Sequence, residues 1–332
     1  MEKFKQPILY IGITFLSVFF CLSCSSYAGP GENPTIVKQF TLDEPGSLYV
    51  KTSGGSITVE GMSGNQIEVQ VFVKKNGRLL DPDDKLVQDL YEGFDFKIEM
   101  QGTEITAYAK KLNRDLPWKY ISVSFYISVP HQMTCDLNTS GGSIKLSAVE
   151  GMHNLNTSGG AINLNNVTGK TMAHTSGGRI SVENHKGDID LNTSGGGISV
   201  DDGMGNIRAH TSGGGINLNN INGEVDVNTS GGRIEINGSA SYVKAHTSGG
   251  GIHVNITDLS KELYLDTSGG GIDVTIPDKL GMDLNLSANR VHIDLQNFTG
   301  NMKNNRINGT MNGGGIPVYM HTSGGNINVY FR

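Results

Sequence analysis

The stretch Asn138-Thr139-Ser140-Gly141-Gly142-Ser143-Ile144-Lys145-Leu146 recurs along the chain and decides how it folds. Its Thr-Ser-Gly-Gly core restarts in even steps of 18 residues at Thr157, Thr175, Thr193, Thr211, Thr229 and Thr247. It returns after a step of 20 at Thr267 and once more at Thr322, and an early copy begins at Thr52. Each copy is followed by one variable residue and an Ile-x-aliphatic pair. Self-similarity of this kind is typical of repeat proteins, whose units pack on their neighbours.

One unit, residues 211–228, contains two short alternating segments, Ile216/Leu218 and Val225/Val227, separated by glycine-bearing turns. Alternation places the aliphatic residues inward and the polar residues outward. Because each segment is too short to be stable alone, we expect successive units to stack as coils, about 4.8 Å apart. The sequence therefore predicts an all-β solenoid of about 18-residue coils.

A longer period of 36 residues leaves a second coil length open. Three Ala-His pairs alternate with Leu-Asn or Val-Asn pairs along the repeats. The Ala-His pairs contain His174, His210 and His246. Either small and large inward residues alternate between 18-residue coils, which we favour, or the true coil has 36 residues.

The two turns of each unit differ in character. A sharp reversal at Gly-Gly predicts positive φ, and the preceding Thr and Ser hydroxyls are expected to bond turn amides and to stack in ladders. Sequence variety concentrates in the second turn and at the residue after Gly-Gly. The second turn is thus the predicted edge for contact with a partner.

The repeat block, residues 133–332 with degenerate C-terminal coils, needs covered ends, because an open strand edge invites aggregation. Residues 36–132 are predicted to form an N-terminal β-rich capping region with one short helix at Asp83–Tyr91, followed by Gly93. At the other end, Tyr330 and Phe331 of the last copy are expected to seal the stack.

Residues 1–28 are predicted to be an export signal, with Lys3 and Lys5 before an apolar run. Leu22-Ser23-Cys24 resembles a lipobox, so cleavage before Cys24 and lipid attachment to it are favoured. Ordinary cleavage after Ala28 and a retained anchor are the alternatives. Residues 29–35 form a linker. We therefore expect an outer-membrane or surface lipoprotein of the bacterial envelope, or otherwise a periplasmic or secreted protein.

Composition narrows the function classes. The net charge of −6 and the lack of a basic run argue against a nucleic-acid partner. Cys135 is the only cysteine outside the signal, and its alternation with Met133 and Leu137 predicts a buried residue.

Motifs for catalysis or cofactors are missing from the sequence. It has no P-loop, no Gly-x-Ser-x-Gly and no His-Glu-x-x-His, and the repeats carry no constant Asp for calcium. Asp201-Asp202 is interpreted as a solvated turn pair. We predict no enzyme activity, no cofactor and no metal.

The histidines are the most suggestive surface feature. In an 18-residue coil, His174, His210 and His246 form one outward column that alternates with Asn192 and Asn228. Their separation would be about 9.6 Å, too far to share one zinc ion, whereas a 36-residue coil would stack them directly. They are predicted to form a surface ladder.

The strand Tyr120–Pro130, the Thr-Ser-Gly-Gly-x-Ile array after it and the terminal copy at Thr322 resemble the bacterial putative-adhesin family, a β-strand-repeat domain of unknown function. The resemblance implies a right-handed parallel β-helix in the cell envelope and no catalytic residue.

These observations favour a non-enzymatic envelope protein, an adhesin whose β-helix binds a glycan or protein partner while a lipid anchor holds it to the membrane. A polysaccharide-active β-helix enzyme and an envelope-stress sensor or scaffold are the alternatives.

Overall fold

The computed structural model describes residues 33–112, 115 and 117–332. The predicted signal at 1–28, with its lipid-attachment residue Cys24, lies outside the described residues, as does most of the 29–35 linker.

The N-terminal region contains strands β1 to β8 and three short helical turns. The strands are β1 Ile36–Thr41, β2 Gly46–Thr52, β3 Ile57–Met62, β4 Gln66–Lys75, β5 Arg78–Leu79, β6 Phe94–Gln101, β7 Glu104–Lys111 and β8 Ile121–Pro130. The helices are α1 Lys85–Gln88, α2 Leu90–Gly93 and the 3-10 turn Trp118–Tyr120.

The central region is made of strands alone. They are β9 Met133–Thr139, β10 Ile144–Ser147, β11 His153–Thr157, β12 Ile162–Thr168, β13 Thr171–Thr175, β14 Ile180–Lys186, β15 Ile189–Thr193, β16 Ile198–Met204, β17 Ile207–Thr211, β18 Ile216–Thr229, β19 Ile234–Thr247, β20 Ile252–Ile256, β21 Glu262–Thr267 and β22 Ile272–Ile276. The C-terminal strands are β23 Met282–Ser287, β24 Val291–Ile293, β25 Phe298–Lys303, β26 Arg306–Met311, β27 Ile316–Thr322 and β28 Ile327–Phe331.

The pairing register confirms the 18-residue coil. Ile162 pairs with Ile180 in parallel, and Ile180 pairs with Ile198. On the other strand of each coil, Leu155 pairs with Ala173, and Ala173 pairs with Leu191. Small and large inward residues therefore alternate in adjacent coils, which accounts for the 36-residue period without a longer coil.

Stacking order departs from chain order at both ends. β2 lies between β7 and β9, and β3 lies between β8 and β10, so the early Thr52 copy is a coil of the same stack. At the C-terminal end, β27 lies between β21 and β23, and β28 lies between β22 and β24. The expectation that the last copy seals the far end is wrong, because β23 and β24 stack beyond it.

Antiparallel strands flank the parallel stack. β6 pairs with β7, and β4 pairs with β8, at the N-terminal end. β26 pairs with β23 at the C-terminal end. Most inward positions are aliphatic and fully buried, so the core is a thin column running along the coils. In the part of the chain that the structure describes, no helix is both long and apolar enough to cross a membrane.

The single helix expected at Asp83–Tyr91 is two four-residue helices that meet at Asp89. Asp84 caps α1, because its side chain accepts the Leu86 amide hydrogen bond at 2.8 Å. Gly93 lies inside α2 rather than after it. A Cβ at Gly93 would come within 2.1 Å of the Trp118 ring, so close packing of that ring requires glycine.

The Thr-Ser-Gly-Gly corner is held by its threonine. Thr175 is fully buried, and its hydroxyl donates to the Gly160 carbonyl of the preceding coil at 2.8 Å. The same hydroxyl accepts from the Gly178 amide at 3.3 Å. Equivalent pairs of bonds recur in the coils from Thr157 to Thr322, so the predicted hydroxyl ladder is confirmed for threonine.

The predicted reason for the glycines is wrong. Neither glycine of the pair has a positive φ in these coils. Instead, a Cβ on Gly178 would lie 1.9 Å from the Gly160 carbonyl oxygen of the coil before it. The second glycine is required because the backbones of adjacent coils approach too closely for any side chain.

Positive φ occurs at the second turn. Asn166, Asn184, Asp202 and Asn220 adopt φ of 53°, 60°, 59° and 51°. Asn and Asp tolerate this left-handed conformation better than other residues with a Cβ, which explains their recurrence there.

Candidate functional site

The outward column predicted for the histidines exists. The registers align His174, Asn192, His210, Asn228 and His246 on successive coils. The column continues to Asp266 and His321. The carboxylate of Asp266 lies 2.8 Å from Nδ1 of His246. Among the described residues, no group of three or more His, Cys, Asp and Glu side chains is placed to hold a metal ion.

A polar groove of about 260 Å³ follows this column at the N-terminal coils. Asn138, Asn156 and His174 line it, together with Ser140 and Ser158 of the repeats. The serines of Thr-Ser-Gly-Gly are thus surface groups, unlike the buried threonines. A role of His174, His210 and His246 in binding stays a prediction.

The second-turn edge carries side chains that bond to each other. The amide of Asn184 donates to Asn166 at 2.7 Å, and that of Asn219 donates to Asp201 at 3.0 Å. Asp202 accepts from the amide of Asn220. Each carboxylate of the Asp201-Asp202 pair therefore has an asparagine partner on the next coil, an arrangement that stabilises the turn. Contact of this edge with a partner stays a prediction.

Cys135 is buried, as the alternation predicted, with 1% of its surface exposed. Burial raises the pKa of its thiol far above the ordinary value. Since the thiolate is the nucleophilic form, Cys135 is unsuited to covalent chemistry at neutral pH.

The residue after Gly-Gly varies in a way that the fold does not require. Gly197, Gly215, Gly251 and Gly271 occupy this position in four coils. A Cβ on them would meet its nearest atom at 3.2, 3.0, 3.1 and 3.3 Å, and none has a positive φ. Other coils hold side chains at the equivalent position: Ser143, Ala161, Arg179, Arg233 and Asn326. These contacts are tight, but the side chains in the other coils show that a small backbone shift accommodates a Cβ here, so the four glycines leave the surface open.

The open positions form two shallow grooves on one face of the β-helix. The first has a volume of about 350 Å³, with Gly197 and Gly215 between Arg179 and Arg233. Its lining also includes Ser199, Asn217 and Glu235. Arg179 and Arg233 are three coils apart, about 14 Å.

The second groove continues on the other side of Arg233. Its volume is about 460 Å³, and Gly251 and Gly271 lie along it. Glu235, His253 and Asp273 supply its polar groups. Arg233 and Glu235 line both grooves, so the charge of each groove is set by its other residue: Arg179 makes the first groove net cationic, and Asp273 makes the second net anionic.

The two arginines are free to bind. Within residues 33–112, 115 and 117–332, neither guanidinium forms an ion pair or a hydrogen bond, and both are exposed. Arg208, on the other strand of the coil, likewise forms no ion pair or hydrogen bond among the described residues, but Asp190 and Asp226 lie in register with it on the coils before and after. From the sequence, the residue after Gly-Gly was recognised only as variable. The alternation of Thr-Ser-Gly-Gly-Gly with Thr-Ser-Gly-Gly-Arg is the sequence feature that could have indicated this groove.

The stack of 18-residue parallel coils defines a β-helix-like repeat protein. The chain belongs to the Toastrack DUF4097 family, whose model matches residues 43–330. This agrees with the resemblance to a family of unknown function. No curated protein matches the chain.

Several solved structures are similar to it over nearly their whole length. A "putative lipid binding protein" from Parabacteroides distasonis is 13% identical, with 90% of this chain and 97% of that one covered and a TM-score of 0.38. A "putative adhesin" from Bacteroides fragilis is 11% identical, with 89% and 96% covered and a TM-score of 0.37. A "putative cell adhesion protein" from Clostridium sporogenes is 12% identical, with 90% and 99% covered and a TM-score of 0.19.

Proposed function

We propose that the protein is a non-enzymatic component of the bacterial cell envelope, an adhesin that binds an acidic polysaccharide along the Arg179–Arg233 groove. The observation that carries this proposal is the pair of glycines, Gly197 and Gly215, that open the surface between two unpaired arginines. A fold that tolerates side chains at this position has no structural need for that opening.

The chemistry of the groove suits a carboxylate-bearing sugar chain. Guanidinium groups bind carboxylates through two parallel hydrogen bonds, and both arginines have all their donors available. Ser199 and Asn217 can exchange hydrogen bonds with sugar hydroxyls. The spacing of about 14 Å between the arginines favours an extended ligand over a single small anion.

Charge elsewhere on the molecule makes this binding selective. The chain carries a net charge of −6, so its overall field repels polyanions. Binding to an acidic polymer therefore depends on local contacts with Arg179 and Arg233. Strong salt dependence is expected, because exposed ion pairs are screened.

The binding test uses the mature chain with acidic oligosaccharides, oligogalacturonate as the probe and dextran of matched length as the neutral control. Calorimetry should detect oligogalacturonate and not dextran. The double variant R179A/R233A should bind roughly tenfold to a hundredfold more weakly, since each arginine contributes charged hydrogen bonds. R208A is the matched control, because it removes an exposed arginine from the other strand of the coil, and it should bind like the parent.

A second variant tests the groove itself. Gly215→Ser adds a side chain at a position where another coil carries Ser143, so the fold should persist while binding falls. Equal binding by the parent and R179A/R233A would overturn the site. Release of shortened oligosaccharides by the parent chain would instead support the polysaccharide-active alternative.

The envelope location rests on the predicted signal and Cys24. Metabolic labelling with palmitate should mark the parent protein and leave Cys24→Ala unlabelled. An unlabelled parent would show that the chain has no lipid anchor, and ordinary cleavage after Ala28 would then be examined by N-terminal sequencing.

A further inference from the structure

Two histidines interrupt the apolar core near the second turn of the central coils. His153 is 2% exposed and His185 is 1% exposed. The column that contains His153 has Cys135 on the preceding coil and Thr171 on the following one. Nε2 of His185 lies 3.1 Å from the Thr171 hydroxyl. These four residues make a buried polar strip inside the solenoid, which we call the histidine strip.

The ring nitrogens of these two histidines lack good hydrogen bonds in the folded structure. Both ring nitrogens of His153 and Nδ1 of His185 are buried without a hydrogen bond of good geometry, although the backbones of Thr168 and Gly187 lie near enough to favour the protonated rings. Such atoms are rare in folded proteins, because an unpaired buried polar group loses its bonds to water and gains nothing in return.

The fold does not require histidine at either place. Positions in register with His153 hold Thr171, Ile189 and Ile207 on successive coils. Positions in register with His185 hold Val167 and Gly203. An aliphatic residue would pack here without unpaired atoms, so the histidines weaken the corner at which they lie.

The groups that face the two rings do little to stabilise a positive charge. For His153 they are the neutral thiol of Cys135, the Thr171 hydroxyl and the backbone of Thr168. Desolvation lowers the pKa of His153 to about 4; the Thr168 backbone opposes this shift in part, and repulsion from His185 adds to it.

His185 is in a similar situation. Desolvation lowers its pKa to about 4, while the Gly187 backbone and the Asp188 carboxylate oppose the shift only in part. Both rings are therefore neutral in the closed structure at physiological pH, and each takes up its proton readily only when water reaches it.

We propose that the histidine strip is an acid-operated release point, at which protonation of His153 and His185 opens the second-turn corner of coils 149–189 while later coils stay paired. The opening is confined to these coils, because the histidine strip extends only from Cys135 to His185. From Ile207 onward the same column is aliphatic: Ile207, Val225, Val243 and Leu263. Those coils have no buried histidine to protonate, so acid leaves their pairing intact.

The sign and size of the effect follow from proton linkage. Each histidine has a lowered pKa in the closed state, so the open state binds more protons as the pH falls below about 6.5. With a pKa of 6.5 when open and about 4 when closed, acidification from about pH 7.4 to 5.0 favours opening about 25-fold per histidine. Both histidines together give an effect of several hundredfold if the two rings are exposed in one event.

Hydrogen–deuterium exchange of the full mature chain tests this inference. After correction for intrinsic rates, peptides within residues 149–189 should lose protection at pH 5.0 relative to pH 7.4. Peptides within 221–256 should keep it. Loss of protection in both regions alike, or in neither, would overturn the proposal.

Two double variants make the test specific. H153I/H185V carries residues that other coils of the stack already use at these positions, so it should fold. Its Thr171 hydroxyl loses the His185 partner, which costs stability at every pH, but its protection should not change between pH 7.4 and 5.0. H174N/H210N removes two surface histidines from a column that already holds Asn192 and Asn228, and it should exchange like the parent. Acid-sensitive exchange that persists in H153I/H185V, or disappears in H174N/H210N, would refute the assignment to the buried pair.

Discussion

The hydroxyl of Thr211 is predicted to hold two coils together, and its removal should measure the strength of the corner. Thr211 is fully buried; its hydroxyl donates to the Gly196 carbonyl at 2.7 Å and accepts from the Gly214 amide at 3.3 Å. Thr211→Val keeps the shape of the side chain and removes both bonds. It leaves a partly buried carbonyl and a partly buried amide short of a partner, so the expected loss in the free energy of unfolding is about 1–3 kcal/mol.

Two companion variants separate the hydroxyl from the methyl group. Thr211→Ser keeps both hydrogen bonds and removes one methyl, so it should cost about 1 kcal/mol. Ser212→Ala changes the exposed neighbour in the same motif and should stay within about 0.5 kcal/mol of the parent.

The measurement is urea denaturation followed by far-ultraviolet circular dichroism, with the free energy taken from the midpoint and slope. Coincident transitions by circular dichroism and tyrosine fluorescence would justify a two-state treatment of the stack. If Thr211→Val is as stable as the parent, or Thr211→Ser is the less stable of the two, the hydroxyl ladder does not hold the coils as argued.

Two further predictions concern the glycines and the buried thiol. Gly214→Ala should prevent folding or lower the unfolding midpoint sharply, because its Cβ would lie 2.1 Å from the Gly196 carbonyl oxygen. Gly215→Ala, whose Cβ would lie 3.0 Å from the Arg233 oxygen, needs only a small backbone shift and should fold with a much smaller loss. Equal melting of the two variants would contradict the close-approach explanation. Cys135 should resist iodoacetamide at neutral pH in the folded chain and react fully in urea, because burial keeps its thiol protonated. Mass spectrometry of the peptide that contains Cys135 gives the modified fraction. Rapid reaction in the folded chain would show that the core around Cys135 is open.

The sequence predicted those features that repeat locally. The 18-residue step, the two alternating segments per coil and the buried place of Cys135 are visible in the sequence, because each depends on residues close together in the chain. The outward column of His174, His210 and His246 followed from the same step once the coil length was chosen.

Features that depend on the contact between coils were misjudged or missed. The Gly-Gly pattern by itself suggests a turn with positive φ, whereas glycine is required because a Cβ on Gly178 would lie 1.9 Å from the Gly160 carbonyl oxygen. The final Thr322 copy was expected at the end of the molecule, yet β27 and β28 stack inside β23 and β24.

The candidate site shows the same division. Arg179, Arg233 and the glycines between them are plain in the sequence, but only the stacked structure shows that they border one groove and that the arginines are unpaired. His153 and His185 lie 32 positions apart in the sequence; the stacked structure places Thr171 in register with His153 and in contact with His185.

The sequence by itself determined the repeat, the coil length and the alternation of inward and outward residues. The tertiary structure alone decided which glycines are sterically required, which end strands cap the stack, and which polar residues lie buried or free. The physical reason is that periodicity is a property of neighbouring residues, whereas close approach, burial and pairing are set by the backbone one coil away.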